Sequence, residues 1–133
     1  MAEEAQWMVF ADGGDSVALH RPIAYPDGHG YRHRIDMKAG PFAGTIEATS
    51  YESLVALDRF RGAVEALYRS LKGEALLRGG YENFDLSLTG DGLGHIEVHV
   101  TAMAGPLMDA RLTYAFRIDQ TQLPRAIAAL KEV

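Results

Sequence analysis

Apolar residues recur along this chain with two different periods, and the switch between periods divides it into segments. A period of two comes first. Gln6 to Ala11 and Ser16 to His20 read as strands, separated by the turn residues Asp12-Gly13-Gly14-Asp15. Arg21 to Gly30, punctuated by Pro22, Pro26, Gly28 and Gly30, reads as a loop. From Tyr31 to Lys38 the side chains of Tyr31, His33, Ile35 and Met37 fall on one face, and Arg32, Arg34, Asp36 and Lys38 on the other. Ala39-Gly40 turns the chain, and Pro41 to Ala48 alternates again through Phe42, Gly44 and Ile46.

The period then changes to that of a helix. Between Ser50 and Lys72 the residues Leu54, Leu57, Phe60, Val64, Leu67, Tyr68 and Leu71 follow one another at three- and four-residue steps and form one apolar stripe. Thr49 with Glu52 three residues on reads as a capping box at its start, and Gly73 stands where a left-handed cap would end it. Off the stripe, Arg61-Glu65 and Glu65-Arg69 have ion-pairing spacing. Such a helix is about 34 Å long, enough to cross a small domain.

Cleaner alternation returns afterwards. Phe84, Leu86 and Leu88 oppose Asp85, Ser87 and Thr89. Past the turn signal Gly90-Asp91-Gly92, the set Ile96, Val98, Val100 and Ala102 opposes His95, Glu97, His99 and Thr101. Ala110 to Ile118 alternates Leu112, Tyr114, Phe116 and Ile118 with Arg111, Thr113 and Arg117. A short helix capped by Asp119 or Thr121 closes the chain with Leu123, Ile127 and Leu130, and Pro124 is tolerable there only in the first turn. Strands with one apolar and one polar face belong to antiparallel sheets wet on one side. The expected fold is α+β: a twisted, mainly antiparallel sheet of about seven strands, one long helix packed on one face, and a short C-terminal helix.

Composition narrows the functional classes. A length of 133 residues with 47% hydrophobic and 23% charged side chains fits one soluble α+β domain spanning 1–133. The absence of cysteine removes disulfides, thiolate metal sites and cysteine nucleophiles. Thirteen basic against eighteen acidic residues, a net charge of −5, argues against a general binder of nucleic-acid phosphates. No apolar run reaches the length of about 20 residues that a membrane span needs, and the start Met1-Ala2-Glu3-Glu4 is unlike a secretory signal, so the expected address is the cytoplasm.

Candidate chemistry concentrates in two places. On the strand through His95, Glu97 and His99, neighbouring side chains on one face stand about 6.7 Å apart, so one pair could share an ion, while His95 and His99, about 13 Å apart, could not. Matching core faces across the hairpin sets Asp85 opposite His99, Ser87 opposite Glu97 and Thr89 opposite His95. Cross-strand polar pairing accounts for these residues, so no metal, cofactor or catalytic residue is expected, and Asp85, Glu97, His99 and Arg111 mark a polar sheet face. Gly90 to Gly94 precedes a strand rather than a helix and reads as a hairpin turn, not a phosphate loop. None of Ser16, Ser50, Ser53, Ser70 and Ser87 lies in a nucleophile elbow. The second place is His20 to Lys38, basic in an acidic chain, where Tyr25, His29, Tyr31, Arg32 and Arg34 read as a partner-binding segment. Its structural counterpart is an edge strand in which Arg32 and Arg34 repel strand addition or pair with Glu47.

From about Ile35 onward the order of features resembles small bacterial domains of the WapI-type immunity family and a related bacterial family of unknown function. The resemblance rests on Leu54, Leu57, Phe60 and Leu67 through Gly73, the Phe84 to Leu88 strand, Gly94-His95-Ile96-Glu97-Val98, and Phe116-Arg117-Ile118-Asp119 leading to Leu123. These are core and turn positions, which specify fold better than role, and no functional residue transfers one to one. The family's tryptophan-bearing segment has no counterpart, since Trp7 lies much earlier. What the resemblance implies is a non-enzymatic domain that neutralises a toxin-like protein partner by occlusion. The competing readings are a small hydrolase or metal-assisted enzyme using the polar sheet face, and a self-associating accessory domain that forms a homodimer.

Overall fold

The computed structural model describes residues 6–50, 55–79, 83–104 and 109–132. The expected α+β class and antiparallel pairing are found, with nine strands among the described residues arranged in two sheets rather than about seven in one. Sheet A holds β1 (Gln6–Asp12), β2 (Asp15–His20), β3 (Ile23–Ala24), β4 (Tyr31–Ala39) and β5 (Phe42–Ser50). One edge of β4 is shared by β2, along Ile35 to Ala39, and by β3, at Tyr31 and Arg32. Its other edge pairs with β5 along the whole strand. Sheet B runs in chain order through β6 (Lys72–Arg78), β7 (Phe84–Asp91), β8 (His95–Ala104) and β9 (Ala110–Asp119).

Between the sheets in sequence lies α1 (Val55–Ser70), and after β9 a 3-10 turn (Gln120–Gln122) leads into α2 (Leu123–Leu130). The apolar stripe of α1 buries Leu57, Phe60, Val64 and Leu67, each contributing about 1.5–3 kcal/mol through removal from water. Tyr68, expected on the stripe, is 43% exposed. It lines a groove with Pro124 and Ile127 of α2 instead. Leu54 and Glu52 lie outside the described residues. Thr49, the expected helix cap, belongs to β5 opposite Arg32. A threonine fits a strand as well as a cap, and the long β4–β5 ladder claims it.

The other end of α1 also differs from expectation. Leu71 takes the left-handed conformation (φ 62°) that ends the helix, and Gly73, with φ 105°, already lies in β6. Gly90 explains the tight join. A Cβ there would collide with the Leu71 carbonyl and approach Leu67 Cδ1 to 2.8 Å, so the helix end rests directly on the β7 backbone. The Leu71 carbonyl also accepts the Gly92 N–H at 2.7 Å.

The two sheets share one core with the helices. Met8, Phe10, Val17, Leu19, Ile35 and Met37 of sheet A, and Leu86, Leu88, Ile96, Val98, Val100 and Phe116 of sheet B, belong to the same buried cluster. Strand β9 joins them: the Tyr114 hydroxyl donates to the Ser16 carbonyl at 2.6 Å, and β9 also contacts β1. Burial raises the Tyr114 hydroxyl's pKa above its ordinary value, which keeps it a donor. Helix α2 docks on α1 and β1, where the Trp7 indole donates to the Ala129 carbonyl at 3.0 Å. Asp119 caps the 3-10 turn by accepting the Thr121 N–H at 2.9 Å, and Pro124 stands in the first turn of α2 as expected.

Candidate functional site

The alternation in β4 decides which residues of the basic segment reach solvent. Tyr31, His33, Ile35 and Met37 point inward and are buried, while Arg34 and Lys38 are exposed and Arg32 half-buried. Tyr31, expected to touch a partner, is 1% exposed and packs edge-on against His33. It is a core residue, because it shares the β4 face of Ile35 and Met37. On the outer face, Arg32 pairs with Glu47 at 3.1 Å and Arg34 with Asp36 at 3.1 Å. Tyr25 approaches across this face, its hydroxyl 3.4 Å from Thr49 Oγ1. The loop that carries it is tight: the Tyr25 N–H donates to the Gly30 carbonyl, and the His29 N–H to Asp27 Oδ1 at 2.9 Å. Tyr25, Arg32 and Arg34 therefore share one outer surface, with His29 exposed at the loop tip.

Two groups under this surface are electrostatically unusual. Burial pushes the Asp36 carboxyl up, but hydrogen bonds from His20, Thr45 and Arg34, with Arg34's charge, outweigh it and hold the pKa down at about 2. His20, 4% exposed, meets Asp36 Oδ2 at 2.7 Å. Burial alone pushes His33 down to about 4, and its Nδ1 is enclosed without a hydrogen-bond partner among the described residues. The neutral imidazole is therefore the form the fold accepts.

Sheet B presents the polar face expected of it, with the register moved by two residues. Asp85 lies opposite Thr101, Ser87 opposite His99 and Thr89 opposite Glu97. Asp91 causes the shift. Its carboxylate accepts the Leu93 N–H at 2.7 Å and the His95 N–H at 3.2 Å, which places the turn after Asp91 and leaves Gly90 paired with Ile96. The Leu93 bond is the chief reason the Asp91 pKa is lowered. An even shift preserves the faces, so the inside and outside sets stand as the alternation predicts.

The expected Asp85–His99 juxtaposition is thus absent. Asp85 approaches Arg78 at 3.5 Å, while Glu97 lies 3.8 Å from both His99 Nε2 and Arg117. Among the described residues, no three His, Cys, Asp or Glu side chains come together in a metal-holding group. Arg111, at the end of this face, extends to Met103 Sδ at 3.5 Å and lines a cleft between the sheets. No described helix is long and apolar enough to cross a membrane.

This architecture of two antiparallel sheets and two helices defines an α+β protein with broad polar faces. Residues 12–133 match the Immunity protein WapI-like family, and the chain belongs to that family. No curated protein shows a significant match. One solved structure, titled "Structure of the plant transcriptional regulator PBF-2", is similar with a TM-score of 0.49 and 10% identity, over 94% of this chain and 78% of that one.

Proposed function

We propose that this protein is a non-enzymatic, cytoplasmic binding protein that neutralises a toxin by docking on it, with the outer face of sheet A around Tyr25, His29, Arg32 and Arg34 as the contact surface. Membership of the WapI-like immunity family across residues 12–133 is the observation that carries the reading. We choose this face because two arginines on the β4–β5 ladder and an amphipathic tyrosine from the adjoining loop lie there, the residue types enriched at interface centres. Ion pairs with Glu47 and Asp36 hold both guanidinium groups in place before contact, which lowers the ordering cost of association.

The test is a search for a toxin gene adjoining this one, followed by binding to its product, measured by calorimetry and by protection of cells that express that product; the lack of such a neighbour counts against the reading. Nanomolar-to-micromolar binding is expected. The double variant Arg32→Glu with Arg34→Glu should weaken it at least about tenfold, equivalent to about 1.4 kcal/mol. Glu97→Lys, on the other sheet, should leave it unchanged. Absence of both binding and protection refutes the function; binding indifferent to the double variant refutes the surface.

A further inference from the structure

Sheet edges expose unpaired backbone groups, and folded proteins usually block them with charges, prolines or covering side chains. Here β1 is blocked: the Gln122 side chain accepts the Ala11 N–H at 3.1 Å and donates to the Ala11 carbonyl at 2.8 Å. Strand β6 carries Lys72, Glu74 and Arg78, and β3 has only two residues. Strand β5 differs. From Phe42 to Ile46 it carries no charge, and Phe42, Ala43, Gly44 and Thr45 are exposed. Among the described residues β5 pairs with β4 alone.

The direction of its backbone groups follows from one contact. Asn83 Nδ2 donates to the Glu47 carbonyl at 3.2 Å, so Glu47 points its backbone groups away from β4. In an antiparallel ladder a residue's N–H and C=O point to the same side and neighbours alternate. Thr45 and Ala43 therefore also offer both groups to the open edge.

A cleft of about 280 Å³ adjoins that edge. Its walls are Phe42 and Ile46 on β5, Met37 beneath, and Ala102, Met103 and Leu112 of sheet B. Gly44 lies between Phe42 and Ile46, and a Cβ built on it would meet nothing within 4 Å, so the missing side chain opens the space. Small-molecule sites usually occupy about 300–1,000 Å³, so this cleft suits one apolar side chain rather than a whole cofactor. Arg111 lines it and is bonded only to Met103 Sδ among the described residues, leaving its charge without a carboxylate.

We infer that the open edge of β5 takes up an extended peptide as an added strand, with one apolar side chain filling the cleft at Gly44 and a carboxylate two residues along meeting Arg111. Extended backbone is what satisfies paired outward donors and acceptors at two-residue spacing, and the cleft and Arg111 select the alternating side chains. The occupant is an extended segment of another protein, and the inference does not depend on the toxin reading.

The experiment uses the full chain and a fluorescein-labelled, end-blocked heptapeptide, Thr-Val-Thr-Leu-Thr-Glu-Thr, followed by anisotropy. Saturable binding is expected. Replacing the peptide's Leu by Asp, or N-methylating its backbone, should weaken binding at least about tenfold, and replacing its Glu by Lys about fivefold, the scale of one exposed ion pair. On the protein side, Gly44→Leu fills open space and Ala43→Pro removes an outward N–H, so both should fold with unchanged circular dichroism and each should weaken binding about tenfold. Arg111→Gln should erase the peptide's preference for Glu over Lys. Absence of saturable binding up to about 1 mM, the weak limit of specific recognition, overturns the inference, as does binding indifferent to N-methylation and Gly44→Leu. A dimer in sedimentation that Ala43→Pro dissociates also overturns it and assigns the edge to a second copy of the chain.

Discussion

Gly90 and Gly44 are both strand glycines, and the structure gives them opposite meanings. At Gly90 an added methyl strikes the carbonyl that ends α1, and both partners are backbone, so neither yields cheaply. Gly90→Ala should cost about 1–3 kcal/mol, the usual range for overpacking, whereas Gly44→Ala should be neutral or slightly stabilising. Urea denaturation of the two variants checks the pair, and equal effects would refute the assignment. The sequence shows that both positions are glycine. Its pattern placed Gly90 in a turn, because the clash partner comes from Leu71, nineteen positions earlier, and no local spacing reveals it. Tyr31 teaches the same lesson. Its alternation with His33, Ile35 and Met37 already assigned it to the inward face, and the recognition role given to its residue type had to yield to that pattern.

At the scale of elements, strands with two-sided alternation were legible and their faces correct: β4, β7, β8 and β9 all follow the pattern. Two strands escaped. Only two residues, Ile23 and Ala24, form β3, too few for a period to show. In β6, only Ala75 and Leu77 point inward, and Gly73 resembled a helix cap. The edge protection of β1 was equally invisible, since Gln122 reaches Ala11 across 111 positions of sequence. It is testable: Gln122→Ala should cost about 1–2 kcal/mol by leaving two part-buried backbone groups short of partners, and it should speed amide exchange at Ala11. Unchanged exchange there would mean that water or a neighbour serves the edge as well.

For the whole molecule, the response to acid follows from two buried or half-buried groups. His33 titrates at about 4 in the fold against 6.5 for the free side chain, so the unfolded chain takes up its proton first. Stability from this group is full above about pH 6.5 and falls as pH drops towards 4, by about 3 kcal/mol at 1.36 kcal/mol per unit. Asp36 is lowered from 3.8 to about 2, so its contribution, about 2 kcal/mol, is present above pH 3.8 and is lost as pH falls towards 2. His33→Phe, which keeps a ring beside Tyr31, should therefore flatten the decline between pH 6.5 and 4 in urea titrations, and Asp36→Asn should act only below pH 4 on the slope. A wild-type-like slope in His33→Phe would refute the burial argument.

The amino-acid order alone settled what depends on neighbours a few positions apart: which strands have a dry face, that a helix with one apolar stripe follows the first strands, and that Pro124 stands in the first turn of the closing helix. It also placed Asp85, Glu97 and His99 on one wet face, because alternation survives any even change of register. The folded chain decided everything that needs distant partners. It split the strands into two sheets, moved the β7–β8 register through the Asp91 carboxylate, and sealed His33 with no partner for Nδ1 among the described residues. It also left the β5 edge open beside a cleft that sheet B completes. Periodicity encodes orientation relative to the chain's own axis, while pairing, enclosure and exposure are set by surfaces that meet only when the whole chain has condensed.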